Sequence, residues 1–291
     1  TPQEANIEAK QTLVVGIRRT LRFETCKPSA HYQLPLCTGC IGKCEYCYLS
    51  TTLGKKPYLR IYVNLDEILQ KAKTYIEERR PEETYFEGAA TSDPLPYEAY
   101  TGALARAVQF FAREELGRFR FVTKFTEVEP LLGLNHKGHT RIRFSLNTQS
   151  VIGGYEHGTP SCEARVEAAQ KVARAGYPLG FLIAPVIIYP NWQEEYRELL
   201  DLIDKSLSAS MKKGLTFEII SHRFTARAKK NIQGIFPRTS LPMEEDERQF
   251  KFGQFGYGKY VYRKEEMETI RNYFNEEINS KFPESLINYI V

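Results

Sequence analysis

The sequence lacks any long apolar stretch, internal repeat, low-complexity tract or long linker. Its longest apolar stretch covers residues 181–189, whereas about 20 residues are needed to span a bilayer. No N-terminal segment combines the basic and apolar regions of a signal peptide. We therefore expect no contact with a membrane and a cytoplasmic location. The 291 residues are 42% hydrophobic, which is enough to bury a full core, and we predict one domain covering residues 1–291.

Cysteine is scarce and unevenly placed. Four of the six cysteines lie between residues 37 and 47, a distribution that suits metal binding in a reducing compartment better than a disulfide framework. We interpret the two outlying cysteines, Cys26 and Cys162, as plain thiols.

Positive charge is concentrated in one part of the chain. The net charge is only +4, but residues 211–264 contain twelve Lys or Arg against five Asp or Glu. One basic sector on an otherwise slightly acidic chain is typical of a protein that binds a polyanion such as nucleic acid. A solvated lysine-rich face is the alternative interpretation.

Short β-branched and aromatic runs alternate with segments of helical apolar spacing, which predicts about six βα units. The fold class is therefore α/β, and we predict a partial (β/α)6 TIM-like barrel with its chemistry at the carboxyl ends of the strands. The predicted strands are 85–87, 120–123, 141–146, 180–188 and 215–220, with one more near or before the clustered cysteines. The predicted helices are 65–79, 97–116, 162–174, 194–206 and 226–232.

The chain after Pro237 breaks this alternation. Aromatic residues alternate with other residues around a glycine-rich centre between about 248 and 264, which predicts a basic, aromatic β-hairpin. A final helix over residues 264–278 is expected to close the domain.

The cysteines Cys40, Cys44 and Cys47 form a C-x3-C-x2-C motif. Three thiolates can hold three corners of a four-iron cluster and leave one iron open, and an open iron can bind S-adenosylmethionine and pass it an electron. Cys37 adds a fourth thiol, so a closed zinc site, a closed four-cysteine cluster and unbound thiols remain alternatives.

The segment Cys-Ile-Gly-Lys-Cys-Glu-Tyr-Cys at residues 40–47 resembles the signature of the radical S-adenosylmethionine superfamily. The flanking segments are more specific, and they resemble the spore photoproduct lyase family. They are residues 27–36, Tyr48-Leu49, 86–93 (Phe-Glu-Gly-Ala-Ala-Thr-Ser-Asp) and 143–147 (Arg-Phe-Ser-Leu-Asn), and with the hairpin the resemblance covers nearly the whole chain.

The resemblance implies that Cys40, Cys44 and Cys47 ligate a [4Fe-4S] cluster and that Cys37 is a bystander. S-adenosyl-L-methionine would bind the fourth iron and yield a 5′-deoxyadenosyl radical. That radical would abstract hydrogen from the DNA lesion 5-thyminyl-5,6-dihydrothymine, which then reverts to two thymines. Two alternatives remain: a radical S-adenosylmethionine enzyme for another substrate, and a non-catalytic zinc-containing nucleic-acid-binding protein.

Four residues at predicted strand ends are candidate ligands of the S-adenosylmethionine cofactor: Ser92, Asp93, Lys124 and Ser145. A lysine can meet a carboxylate, and a serine or aspartate can meet an ammonium or hydroxyl group. Their alternative role is to cap strands or build turns. Two tyrosines flank Cys47: Tyr46 and Tyr48 are candidates for adenine contact or hydrogen-atom relay, or else for packing around the cluster.

Position 90 departs from the family pattern, because the chain has Ala90 where the resemblance predicts a cysteine that returns a hydrogen atom to the thymine radical. A methyl group cannot do this. Either the alanine is an engineered inactivating change or another donor serves. We expect the final hydrogen return to be impaired while cofactor and DNA binding are retained.

A lesion in duplex DNA must leave the base stack to reach a site inside a barrel. The hairpin offers aromatic wedge or stacking surface and lysines for phosphates, although it can also be an ordinary edge hairpin packed on the barrel. The candidate DNA-binding residues are Arg223, Lys251, Phe252, Phe255, Tyr257, Lys259 and Tyr260. The expected partners are lesion-containing double-stranded DNA and a reductant or electron-transfer protein, and we expect a monomer working in the spore core.

Overall fold

A computed structural model of the protein describes residues 1–54, 57–252 and 258–291. The main sheet has eight strands in the order β15-β12-β11-β9-β8-β7-β3-β2. The strands of the described residues are β1 Leu13–Gly16, β2 Thr25–Cys26, β3 Ala30–Gln33, β4 Cys37–Thr38, β5 Lys43–Cys44, β6 Leu59–Tyr62, β7 Thr84–Glu87, β8 Gly117–Thr123, β9 Thr140–Leu146, β10 Glu156–His157, β11 Leu179–Val186, β12 Thr216–Ser221, β13 Gln249–Phe252, β14 Gly258–Val261 and β15 Leu286–Ile290.

Helices follow most strands of the main sheet. The helices are α1 Pro2–Lys10, α2 Leu49–Thr52, α3 Leu65–Glu78, α4 Glu98–Thr101, α5 Ala103–Phe111, α6 Glu129–Leu132, α7 Gln149–Tyr155, α8 Cys162–Arg174, α9 Trp192–Ser206, α10 Ala209–Lys212, α11 Ala226–Ile235 and α12 Lys264–Lys281, with a 3-10 turn at Leu95–Tyr97. Within the described ranges, none of them is both long enough and apolar enough to cross a membrane.

Seven neighbouring strands of the main sheet, from β15 to β3, run parallel, and β2 joins the edge antiparallel to β3. The partial α/β barrel is therefore confirmed. All six strands predicted from the sequence are present, with small shifts at their ends. The hairpin is also confirmed, since β13 pairs antiparallel with β14.

Two expectations about elements were wrong. The helix predicted over residues 264–278 is present as α12, but it does not close the domain, because β15 follows it and adds a seventh parallel strand beside β12. The helix predicted over residues 97–116 is broken at Gly102, which takes a left-handed conformation with φ +58°. Helix α1 and the small sheet of β1, β6 and β4 were not predicted, since short elements contain too few apolar repeats to form a recognisable pattern.

Each central strand has an apolar and a polar face because its side chains alternate with a period of two. In β9, Ile142, Phe144 and Leu146 are fully buried in the main hydrophobic core. The helices cover this face with their own apolar stripes; α8, for example, buries Val166, Ala169 and Val172 at helical spacing.

The other face of the sheet carries a buried network of charges. Arg143 on β9 pairs with Glu87 on β7, and its Nη1 lies 2.5 Å from Glu218 Oε2 on β12. Arg120 on β8 also pairs with Glu218. Tyr289 on β15 donates to Glu218 Oε2 over 3.0 Å. Side chains from five strands therefore share two carboxylates in the barrel interior.

Replacing Glu218 with alanine should strongly destabilise the barrel. Arg120 and Arg143 would keep their buried charges without this counter-charge, and breaking a buried pair costs about 3–5 kcal/mol. Urea unfolding of Glu218→Ala measures this loss. The control is Glu167→Ala, whose exposed carboxylate lies 3.8 Å from Lys171 and should matter little; equal stability of the two variants would contradict the assigned role of the network.

Candidate active site

The cysteine segment lies at the carboxyl ends of the parallel strands, because it directly follows β3. Backbone contacts hold it on both sides. The Gly39 N–H donates to the carbonyl of Thr91 over 2.9 Å. Further along, β5 pairs antiparallel with β10 so that Cys44 faces Glu156. The segment is thus fixed to the loop after β7 and to the chain after β9.

The thiols of Cys40, Cys44 and Cys47 lie close enough to influence one another's ionisation. Burial raises the pKa of Cys40, with the charges of Asp93, Cys47 and Cys44 adding to the effect and Lys10 opposing it. Burial also raises the pKa of Cys44 to about 12, against the opposing charge of Lys124. The three thiols therefore form one group, as the motif predicts.

The thiols do not converge on a single point. Across the described residues, no three Cys, His, Asp or Glu side chains are arranged to hold one metal ion. A cubane binds each thiolate through a different iron, so its ligands need not meet at one centre as zinc ligands do. The absence of such a group among the described residues therefore does not count against a cluster held by Cys40, Cys44 and Cys47.

Cys37 lies apart from this group. It is buried in a small apolar cluster with Leu59 and Tyr97. Burial raises the pKa of Cys37 to about 12, and the neighbouring groups that influence it are Ser92, Asp93 and Glu98, not the other three thiols. This placement agrees with the prediction that Cys37 is a bystander.

Lys124 and Ser145, two predicted cofactor ligands, lie together. The Lys124 ammonium donates to Ser145 Oγ over 2.9 Å and to Glu156 Oε1 over 3.1 Å. It also lies 5.7 Å from the ring centre of Tyr46, whose hydroxyl donates to the same Glu156 oxygen. One carboxylate thus joins the cysteine segment to the strand ends of β8 and β9.

Glu156 is fully enclosed and remains ionised. Its Oε2 lies 2.7 Å from Arg165 Nη2. Burial favours the protonated form of Glu156, but the charges of Lys124 and Arg165 prevail and hold its pKa below the usual value. Arg165 in turn donates to the carbonyl of Ser145 over 3.0 Å, which closes the network.

Asp93 and Ser92 differ in their partners. Asp93 accepts the backbone N–H of Lys124 over 2.9 Å and that of Leu95 over 3.3 Å, so it shapes the turn that the sequence allowed as its alternative role. Burial raises the pKa of Asp93 to about 6. Ser92 is buried beside Cys37, and a hydrogen bond between the two side chains opposes the rise in the pKa of that thiol.

Tyr48 and Ala90 are in direct contact, because the Tyr48 hydroxyl donates to the Ala90 carbonyl. Tyr48 is 55% exposed overall, but desolvation around its hydroxyl raises the pKa of Tyr48, and Cys47, Cys26 and Glu87 add to the effect. The phenol therefore lies near one cluster cysteine and near a second thiol, Cys26, which the sequence analysis had interpreted as a plain thiol.

Three site residues, Glu156, Arg165 and Lys10, were not predicted from the sequence. Glu156 and Arg165 lie outside every segment that carries the family resemblance, and only the fold brings them to Lys124. Lys10 ends α1 and donates to the carbonyls of Cys40 and Gly42 over 2.6 and 2.9 Å. A lone lysine 30 positions before the motif gives no sequence signal.

The hairpin presents some of its predicted DNA-binding residues and packs others. Phe252 is 79% exposed, and Lys251 lies directly opposite Lys259 across the two strands. The ring of Tyr260 stacks on Phe224 with ring centres 5.2 Å apart, so Tyr260 anchors the hairpin to the barrel.

The remaining predicted DNA-binding residues are Arg223, Phe255 and Tyr257. Arg223 precedes Phe224, and its side chain is exposed. Phe255 and Tyr257 lie outside the described residues.

The partial barrel, with three grouped thiols at the carboxyl ends of its strands, defines a protein of the radical S-adenosylmethionine class. Within that class the chain belongs to the spore photoproduct lyase family, whose family model, "Spore photoproduct lyase", matches residues 2–291.

Individual relatives agree. The chain is 55% identical over 284 residues to spore photoproduct lyase of Clostridium acetobutylicum, which covers 98% of this chain and 84% of the relative. It is 48% identical over 281 residues to the Bacillus subtilis enzyme of the same name, covering 97% and 82%. A solved spore photoproduct lyase mutant with bound AdoMet and dinucleoside spore photoproduct is 48% identical, with a TM-score of 0.96 over 98% of this chain and 84% of that one.

Replacing Glu156 with glutamine should destabilise the protein at neutral pH by about 3–5 kcal/mol, because Arg165 and Lys124 lose a buried counter-charge. The pKa of Glu156 is lowered from 4.5, so its contribution is complete above that pH and is lost as the pH falls through the lowered value. Urea unfolding of Glu156→Gln and wild type at pH 7 and in acid should show a gap that narrows in acid. A gap that is independent of pH would contradict this.

Proposed function

We propose that this protein is a DNA repair lyase that reverts 5-thyminyl-5,6-dihydrothymine to two thymines. The observation that carries the proposal is the three-thiol group held beside Lys124, Ser145 and Tyr48 at the strand ends of a member of the spore photoproduct lyase family. Relatives of up to 55% identity carry the name of that enzyme.

The residues present suit the two cofactors of this chemistry. Cys40, Cys44 and Cys47 would hold a [4Fe-4S] cluster, and the hydroxyl of Ser92 with the ammonium of Lys124 would bind S-adenosyl-L-methionine. When bound, the two cofactors supply the 5′-deoxyadenosyl radical that takes a hydrogen atom from the lesion.

The protein's own groups position and shield the reaction. Lys124 is held by Ser145 and Glu156, so its ammonium is oriented before a carboxylate arrives. Tyr46 closes the other side of Glu156 and packs beside the small cluster that contains Ile232 and Phe224. Asp93 fixes the backbone of Lys124 through its amide and acts on the cofactor only through that residue.

Cys26 is the donor that replaces the missing thiol at position 90. A hydrogen-atom donor must keep its S–H bond, and burial together with the charge of Glu87 raises the pKa of Cys26 to about 12, so it stays a thiol at neutral pH. Cys26 gives one hydrogen atom to the thymine radical and becomes a thiyl radical. Tyr48, which contacts Ala90 and lies near Cys26, returns a hydrogen atom to it, and the tyrosyl radical left behind takes one electron from the reductant and one proton from solvent. With this donor, the expected impairment at Ala90 would be relieved.

Anaerobic incubation with S-adenosylmethionine, dithionite and the dinucleotide lesion tests both the function and the donor. Wild type should form 5′-deoxyadenosine and repaired thymines. Cys26→Ala should form 5′-deoxyadenosine with little repaired thymine, because the radical starts but is not quenched. Adding Ala90→Cys to that variant should restore repair.

The matched control is Cys162→Ala, which removes a thiol that is influenced by Arg165 and Glu163 and not by Tyr48. Its product ratio should equal that of wild type. Unchanged repair in Cys26→Ala would contradict the donor alone, whereas a reconstituted wild type without labile sulfide or 5′-deoxyadenosine would contradict the function.

The hairpin and Arg223 would bind the DNA around a flipped lesion. Burial, Arg223 and Lys251 all lower the pKa of Lys259, which shows that three cations crowd together here. Like charges directly opposite on a hairpin are unfavourable, and a phosphate backbone would relieve the repulsion. The exposed ring of Phe252 would supply the wedge or stacking surface.

Lys251→Ala and Lys259→Ala should each weaken DNA binding and reduce the slope of log affinity against log salt by about 1. Fluorescence anisotropy at several salt concentrations measures this. Lys213→Ala is the matched control, since it removes an exposed lysine of the same basic sector at the amino end of β12. If all three variants behaved alike, the basic sector would act as a whole and the hairpin would have no special role.

The remaining features belong to the same proposal. A reductant or electron-transfer protein supplies the electron, and one subunit forming one domain over residues 1–291 suffices for one lesion. All six cysteines are free, which supports a reducing compartment, the cytoplasm of the spore core.

A further inference from the structure

Lys10 is a buried cation beside the cysteine motif, and the family resemblance gives it no role. It is the last residue of α1 and is only 5% exposed. Its ammonium donates to the carbonyls of Cys40 and Gly42 over 2.6 and 2.9 Å. The Gly42 N–H in turn lies 3.3 Å from Cys40 Sγ. The lysine therefore holds, through two hydrogen bonds, the turn that carries the first thiol of the motif.

The ammonium of Lys10 lacks a counter-charge. Among the residues that the structure describes, no carboxylate lies within 4.0 Å of it, and carbonyls are its only acceptors. Lys124, the cation on the Cys44 side, has Glu156 as its partner. A buried charge is normally paired, because desolvation is costly. The unpaired ammonium beside three thiols thus indicates an anionic group at this place.

The position of Lys10 at the end of α1 does not by itself account for its burial. A helix C-terminus favours a lysine, but an exposed side chain would satisfy that preference. Burial against the Cys40 turn is the feature that the helix alone does not explain.

We propose that Lys10 is the internal counter-charge of the iron–sulfur cluster and makes its one-electron reduction easier. The inference rests on the proposed function, since it requires the cluster. Reduction takes one electron from a low-potential donor and adds one negative charge without making or breaking a bond. A fixed positive charge stabilises that added charge, and charge and hydrogen bonding near the sulfurs are among the factors that set cluster potentials. Lys10 is thus a positioning and tuning residue for Cys40.

The test is a redox titration of the reconstituted protein, monitored by electron paramagnetic resonance with dithionite as the reductant. Lys10→Met keeps the length of the side chain and removes the charge. At a fixed potential, its ratio of reduced to oxidised cluster should fall about tenfold, which is about 59 mV for one electron. Lys10→Arg should stay near wild type. Lys171→Met, which removes a surface lysine paired with Glu129, is the matched control and should be unchanged.

Each outcome decides the matter. If Lys10→Met fails to assemble a cluster and Lys10→Arg succeeds, the cluster needs a positive charge at position 10, which supports the counter-charge role. If both variants fail, or if both assemble clusters of unchanged potential, the counter-charge role is wrong. If wild type binds no iron and sulfide, the proposed function fails first, so the two failures are distinguishable.

Discussion

The barrel depends on the sharing of two buried carboxylates, Glu87 and Glu218, by Arg120 and Arg143. These side chains join β7, β8, β9 and β12 across the polar face of the sheet, and Tyr289 adds β15. Because each charge is satisfied only when all of these strands are in register, the network fixes the relative heights of the strand ends. The strand register therefore sets the position of every site residue that follows a strand.

The network also contacts residues of the candidate active site. Glu87 accepts the backbone N–H of Ala89 over 3.2 Å, and the next carbonyl, that of Ala90, accepts the hydroxyl of Tyr48. Cys26 is influenced by Glu87, Arg143 and Arg120. The same buried charges that hold the strands therefore surround the thiol and the phenol assigned to the return of the hydrogen atom.

The cysteine segment is held in a different way, mainly by its backbone. Gly39 pairs with Ser92, and Cys44 pairs with Glu156, while Lys10 binds two carbonyls of the segment. These contacts come from three distant parts of the chain. They constrain a short irregular loop that has little apolar surface of its own to bury, so a cluster would meet thiols that are already oriented.

Much of the fold could be predicted, because long parallel strands and amphipathic helices carry a periodic signal. Helix α8 was placed at its observed bounds, and β9 was placed to within one residue. β15 escaped prediction because most of its contacts are made with β12 and Glu218, far away in sequence. Lys124 and Ser145 were recognised at strand ends through the family resemblance, whereas Glu156, which holds Lys124, had no motif.

The sequence by itself indicated the class of chemistry, because the three thiols at C-x3-C-x2-C spacing and the flanking segments that resemble the family are local motifs that need no distant partner to be recognised. The spacing alone left a zinc site open. The sequence also determined that position 90 lacks a thiol. Only the tertiary structure decided which side chains surround the cysteine segment. Lys10 and Glu156 reach it from separate elements, and such convergence depends on strand register and helix packing, which local sequence does not encode.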